Sequence, residues 1–275
     1  MKTTSRVAFI TSALLLIAST LSAHDLFLRL DSFFVRPESV VVIKVLNGTF
    51  SKSENAITRD RLRDISVVGP SGRVRVDTTS WEAKGDTSRL AVHIGESGTY
   101  VVGASTGPRE ISLEAKAFNA YLADDGIPDI LADRKRDGEL AKKATERYSK
   151  HVKALLQAGD TRSSGFDSPL GYPAELVPLS NPYLPRSGGW LRVRALVDGK
   201  PVANQLVVSG GIPPRGGRLA ERRVRTDADG VARIRMRDRG QWYVKFIHME
   251  KYKGPSNANS PDYESKWATL TFEIR

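Results

Sequence analysis

Four histidines, at positions 24, 93, 151 and 248, are the scarcest donor side chains in this 275-residue chain, which has no cysteine. Without cysteine there is no disulfide framework, thiolate zinc site, iron–sulfur cluster or cysteine nucleophile. Among the histidines, His24 is the unusual one. It follows the small residues Ser22 and Ala23. If a peptidase cuts after Ala23, the new α-amine and the His24 imidazole can chelate one cation together. A second imidazole would complete a T-shaped nitrogen set, which copper and nickel both favour. His248 ends a strand in the other half of the chain and is the expected partner. His151 sits on an apparent helix and is the third candidate. The metal set expected from sequence is therefore His24, His248 and His151. Each also has a structural reading: a chance chain start, a satisfied strand residue and a boundary residue packed on aliphatic neighbours. His93 lies between apolar neighbours and is expected to face solvent.

Other chemistry is hard to find. There is no nucleophile elbow, His-Glu-x-x-His, P-loop or dinucleotide fingerprint. Asp124, Asp125, Asp129, Asp133 and Asp137 lack calcium-loop spacing and read as the wet side of short helices. Asp227 and Asp229 read as turn residues. Trp81, Trp190, Trp242 and Trp267 are scattered and suit cores better than a sugar platform. The expectation is a protein without catalytic activity.

The elements that must position these residues are mostly strands. Leu26–Leu30, Ser39–Val45, Leu62–Val68, Arg73–Asp77, Leu90–Ile94 and Thr99–Gly103 alternate or are β-branched. Turn signals separate them at Asn47-Gly48, Gly69-Pro70-Ser71-Gly72 and Glu96-Ser97-Gly98. Short strands with such turns argue a sandwich. Glu114–Leu122 is a short helix, and Gly126-Ile127-Pro128 starts another, with Pro128 in its first turn. Leu140, Ala144, Tyr148, Val152 and Leu155 fall at helical spacing, so Glu139–Gln157 reads as the longest helix. Thr161–Gly189 is rich in Pro, Gly and Ser and reads as a connection. Trp190–Val197, Gln205–Ser209, Arg222–Thr226, Val231–Met236, Gln241–His248 and Trp267–Ile274 form a second strand set with a Greek-key count. The expected fold is mainly β: two immunoglobulin-like sandwiches with a helical insertion. The divisions are 1–23, 24–113, 114–189 and 190–275.

Residues 1–23 read as a signal peptide: Lys2 and Arg6, an apolar run from Val7 to Ile17, then a small-residue site ending at Ala23. The run falls short of the ~20 residues a membrane span needs. No cysteine follows it, which excludes a lipoprotein. Removing it takes away two positive charges, so the full chain's +11 becomes +9. Arginines that alternate along strands, as in Arg233-Ile234-Arg235-Met236-Arg237, read as a wet face. Nucleic acid is therefore not expected as a partner, and an anionic envelope component is the better match to the charge. The expected location is the periplasm or outside the cell.

Two resemblances add to this. Asp198-Gly199-Lys200-Pro201-Val202-Ala203, Thr226-Asp227-Ala228-Asp229-Gly230-Val231-Ala232 and Gly240-Gln241-Trp242-Tyr243-Val244 resemble transthyretin-like, immunoglobulin-type modules. The chain from residue 24 on is also similar to a bacterial periplasmic family, domain-of-unknown-function family 4198. The residues carrying this are Ala23-His24-Asp25-Leu26-Phe27-Leu28, Glu146-Arg147-Tyr148-Ser149-Lys150-His151 and Trp242-Tyr243-Val244-Lys245-Phe246-Ile247-His248-Met249. Members are sometimes labelled nickel- or cobalt-uptake accessory proteins. The resemblance implies a periplasmic location and a binding role. Together with the His24 chelate, the leading expectation is a periplasmic binding or accessory protein that handles a divalent transition metal such as nickel, cobalt or copper, with an envelope or transporter protein as the other candidate partner. The rival reading is an interaction module for an envelope protein or polymer, without metal. A third is a copper-dependent enzyme built on His24.

Overall fold

A computed structural model describes residues 24–184, 189–255, 257 and 259–275. The signal peptide expected at 1–23 lies outside the described residues. In chain order the strands are β1 (Asp25–Arg29), β2 (Phe34–Val35), β3 (Ser39–Gly48), β4 (Leu62–Gly69), β5 (Gly72–Arg75), β6 (Trp81–Lys84), β7 (Thr87–Ile94), β8 (Gly98–Thr106) and β9 (Arg109–Leu113). Two helices follow, α1 (Ala115–Asp124) and α2 (Pro128–Arg136). Then come β10 (Ala144–Ala158), β11 (Ala174–Pro178), β12 (Trp190–Val197), β13 (Lys200–Pro201), β14 (Leu206–Ile212), β15 (Leu219–Arg225), β16 (Val231–Arg235), β17 (Gly240–Lys251) and β18 (Tyr263–Ile274).

The protein is mainly β, in three layers. The middle layer is a ten-stranded sheet with the path β15-β14-β17-β18-β10-β8-β4-β5, with β2 and β9 also paired to β10. A four-stranded sheet, β1-β3-β7-β6, covers one face through a core that includes Phe33, Ile43, Trp81, Leu90 and Val152. A second small sheet, β11-β12-β13 with β16, covers the other face around Leu155, Leu191, Trp242, Phe246 and Phe272. The helices close one end over Phe118, Tyr121, Ile247 and Trp267.

The expected helix over 139–157 is corrected by the structure: Ala144–Ala158 is β10, the longest strand. Ala144, Tyr148 and Val152 are four residues apart, and four is a multiple of both the strand period of 2 and roughly the helix period of 3.6. The pattern therefore could not separate the two. Alternation is also hidden because both faces are buried, as in the middle of a layered sheet. Val152, Ala154 and Leu156 point into one core and Leu155 into the other. Propensity for a helix yields to this packing. β10 pairs in parallel with β18 and antiparallel with β8 and β9, so one strand from the middle of the chain joins its first and last thirds.

Most expected turns are present. Gly69 and Gly72 close the β4–β5 hairpin. Asp198 (φ 49°) and Gly199 (φ 75°) make the two-residue turn between β12 and β13, where both central residues need positive φ. Asn47-Gly48 differs. Both residues remain in β3, paired with Leu26 and Asp25, and the chain turns later, where the Thr49 amide donates to the Lys52 carbonyl at 2.9 Å. That delay carries Asn47 and Glu54 to the start of β1.

Candidate functional site

The period of 2 decides which residues can meet. On β10, Lys150 points to the face covered by β1, while His151 points to the opposite face. On β17, Lys245 faces β1, and His248, three residues on, faces away from it. His24, just ahead of β1, is thus separated from His151 and His248 by the ten-stranded sheet. The three line three different cavities. The pairing of His24 with His248 expected from sequence is not formed.

His151 is 2 % exposed, with Ser105 Oγ 2.8 Å from Nδ1 and Ser149 Oγ 3.0 Å from Nε2. Burial, reinforced by Lys266, holds its pKa down at about 3. It is a neutral residue satisfied by two hydroxyls. His248 Nδ1 lies 3.0 Å from Gln205 Oε1, and burial lowers its pKa. His93 is exposed on β7, as expected.

His24 has a different setting. The buried Lys150 ammonium donates to the His24 carbonyl and, at 3.0 Å, to Asn47 Oδ1. The His24 ring donates through Nε2 to Glu54 Oε2 at 2.5 Å. Glu54 is itself set by its amide, which donates to the Asn47 carbonyl at 2.9 Å. Asn47 thus links both restraints on His24. His24 is held by main chain and side chain alike.

His24 stands at the rim of a cavity of about 270 Å³. Five carboxylates line it, from Asp25, Glu54, Asp124, Asp125 and Glu221, against two cations, Lys245 and Arg218. One wall is aromatic, where Phe27, Phe50 and Tyr243 pack with ring centroids 5.2–5.3 Å apart. At the base, buried Lys245 pairs with Asp25 and, at 3.6 Å, with Asp125. Burial pulls the Lys245 pKa down, but Asp25 and then Asp125 outweigh it and the pKa rises. Burial raises the Asp125 carboxyl to about 7, with Lys245 opposing and Asp25 adding to the rise. Asp125 caps the end of α1, so the short helix delivers this acid. Asp25 Oδ1 is buried with no hydrogen-bond partner.

Sequence reasoning singled out His24 but paired it with His248, read Asp125 as the wet side of a helix, and gave Glu54, Lys150 and Lys245 no role beside it. Only the run of acids after α1 gave a signal, and its spacing was judged against a calcium loop. Among the described residues, no three His, Asp or Glu side chains stand together as a ready metal cluster. His24 and Glu54, in contact through Nε2 and Oε2, bring together one nitrogen and one oxygen donor, a pair of mixed character that suits a borderline divalent cation.

The profile of a family described as "Domain of unknown function (DUF4198)" matches residues 21–250. The chain belongs to that family. No curated protein matches. Among solved structures, trypsin-activated alpha-2-macroglobulin from Escherichia coli is 12 % identical, with 91 % of this chain and 16 % of that chain covered and a TM-score of 0.22. A two-domain fibronectin type-III segment of chicken tenascin is 12 % identical, with 91 % and 98 % covered and a TM-score of 0.21. A tetra-tandem repeat from the extending region of a large adhesion protein is 12 % identical, with 91 % and 49 % covered and a TM-score of 0.21. The fold described above rests on this chain's own sheets.

Proposed function

We propose that this DUF4198 member is an exported binding protein without catalytic activity, cut after Ala23, and that the cavity headed by His24 is its cation site. The observation that carries this is the excess of five carboxylates over two cations in one cavity of a chain whose net charge is +11. Such an enclosure concentrates cations and repels anions. The finer reading is a divalent transition metal. His24 would supply its imidazole and, once the chain starts there, its α-amine, and Glu54, already in contact with the ring, would supply an oxygen. Lys150 holds the His24 carbonyl and so orients both nitrogen donors. His248 and His151 have no part in this site.

The test is calorimetric titration of protein beginning at His24 with copper, nickel and cobalt. Affinity is expected to follow the usual divalent order, copper above nickel above cobalt. Ala placed ahead of His24, His24→Ala and Glu54→Gln should each weaken binding at least about tenfold, and His248→Ala should not. Equal binding by the protein with the added Ala and the protein beginning at His24 would remove the chelate. Absence of binding by all of them would refute the cation site.

A further inference from the structure

In the small sheet, β11 is buried along its whole length, but the β12–β16 pair buries one face in the core and turns the other outward, and that outer face is built from arginine. On β12, Leu191, Val193 and Ala195 are buried, while Trp190 and Arg192 are exposed and Arg194 is half-buried. On β16, Ala232 and Ile234 are buried, while Arg233 is exposed and Arg235 half-buried. The antiparallel register sets Trp190 opposite Arg235 and Arg192 opposite Arg233. The Arg233 and Arg235 guanidinium carbons lie 5.7 and 5.3 Å from the Trp190 ring centroid. Trp190 keeps 37 % of its surface exposed.

Two features set this face apart from an ordinary wet side. Like charges directly opposite across a sheet destabilise it, and charged strand faces usually interleave both signs. Some strand cations of this chain meet a carboxylate, as where Arg225 meets Asp129 at 2.8 Å or Lys44 meets Asp31 at 2.7 Å, while single exposed arginines such as Arg89 and Arg223 stand without one. Here, among the described residues, no carboxylate lies within 4.0 Å of Arg192, Arg194, Arg233 or Arg235. Second, the Nε–H donors of Arg194 and Arg235 are buried and have no acceptor. A buried unsatisfied donor is costly, and these two mark guanidinium groups whose ion-pairing capacity the fold itself does not use. Stacking on Trp190 holds two guanidinium planes while leaving their in-plane N–H edges free, the arrangement suited to phosphate oxygens.

We propose that this arginine–tryptophan face docks the protein on a membrane surface rich in anionic phospholipid. The face is a sheet rather than a groove, so it suits an extended surface better than a single bound molecule. A half-exposed tryptophan among cations is also the composition favoured at the membrane–water interface. Clustered basic residues gain affinity at an anionic lipid surface, about fivefold for each arginine near it. The face lies on the sheet opposite the His24 cavity, so docking leaves that cavity open.

The experiment is sedimentation of the protein beginning at His24 with phosphatidylcholine vesicles and with vesicles that also contain phosphatidylglycerol. Binding is expected only to the second, and it should fall steeply as salt is raised. Arg192→Gln/Arg233→Gln/Arg235→Gln should lower the partition coefficient about a hundredfold. Lys84→Gln/Arg89→Gln/Lys116→Gln removes the same charge from exposed sites elsewhere and should change it less than about threefold. Far-ultraviolet circular dichroism and a thermal melt show that each variant is folded. The salt dependence of the unaltered protein tests the idea without any variant. The proposal is overturned if the protein ignores phosphatidylglycerol vesicles, if both triple variants lose binding equally, or if it binds soluble polyphosphate and not vesicles. None of these outcomes bears on cation binding at His24.

Discussion

Replacing Lys150 with methionine separates the cost of a buried charge from the use made of it. The Lys150 residue is 5 % exposed. Its ammonium lies 5.4 Å from the Tyr148 ring centroid and 5.1 Å from that of Trp267. Burial lowers its pKa from 10.5 to about 8; Asp25 resists the fall and Arg61 adds to it. That fall corresponds to ~3 kcal/mol against the charged form in the folded state. Methionine has similar length and fills the same space without the charge. It removes that penalty together with two hydrogen bonds from a charged donor, ~1.5–3 kcal/mol each. The effects oppose one another, so near pH 7 the variant should be less stable than the parent by no more than ~3 kcal/mol. The pH dependence is sharper. Below about pH 8 the ammonium is protonated in both the folded and the unfolded chain. Between about 8 and 10.5 the folded chain has released the proton and the unfolded chain still holds it. Stability of the parent relative to Lys150→Met should therefore rise with pH across that window, by up to ~3 kcal/mol. Urea denaturation of both proteins at about pH 7, 9 and 11 measures the difference directly. A difference that stays flat or falls with pH would refute the account of Lys150 as a buried cation held at a cost. The same variant, titrated with copper near pH 7, should bind at least about tenfold more weakly, because the His24 carbonyl has lost its tether. Unchanged binding would show that the tether does not orient the site.

Two further predictions test the sheet itself. Leu155→Ala should destabilise the protein by ~2–4 kcal/mol, since the side chain is fully buried between the middle sheet and the β11–β12 sheet; a loss under ~0.5 kcal/mol in denaturant titration would contradict that packing. His151 should stay neutral from about pH 5 to 8, as its pKa is held down at about 3, so its imidazole nitrogen signals in NMR should not shift over that range; a titration midpoint near 6.5 would mean that the side chain is open to solvent.

Much of this could be read along the chain. The β-branched run in β3, the alternation in β7 and the Gly-Pro-Ser-Gly, Asp-Gly and Asp-Ala-Asp-Gly turns announced strands and hairpins, because strand alternation and turn dihedrals are local requirements. The two short helices were legible for the same reason, through Pro128 at a first turn. β10 was not, since i, i+4 spacing serves both periods and a strand buried on both faces shows no polar side. Its misreading concealed the middle sheet that joins the two strand sets.

The site divides in the same way. Residue types determined that no thiolate chemistry exists and that the chain carries a high positive charge, and they singled out His24 as the donor on which the proposed site is built. Which residues surround His24 was decided only in three dimensions. Asp25 and Lys245 are 220 positions apart and His24 and Lys150 are 126 apart, and each pair meets because β1 lies across β10 and β18 of the middle sheet, with β17 next in line. His248 and His151 were excluded by one-residue parity, which no count of histidines reveals: a strand sends neighbouring side chains to opposite faces. The arginine face illustrates both levels. The alternation of Arg233 and Arg235 was plain in the sequence and correctly marked a wet face. Its meeting with Arg192 and Trp190, and the lack of any carboxylate beside it, depended on the register between β12 and β16, which long-range packing sets.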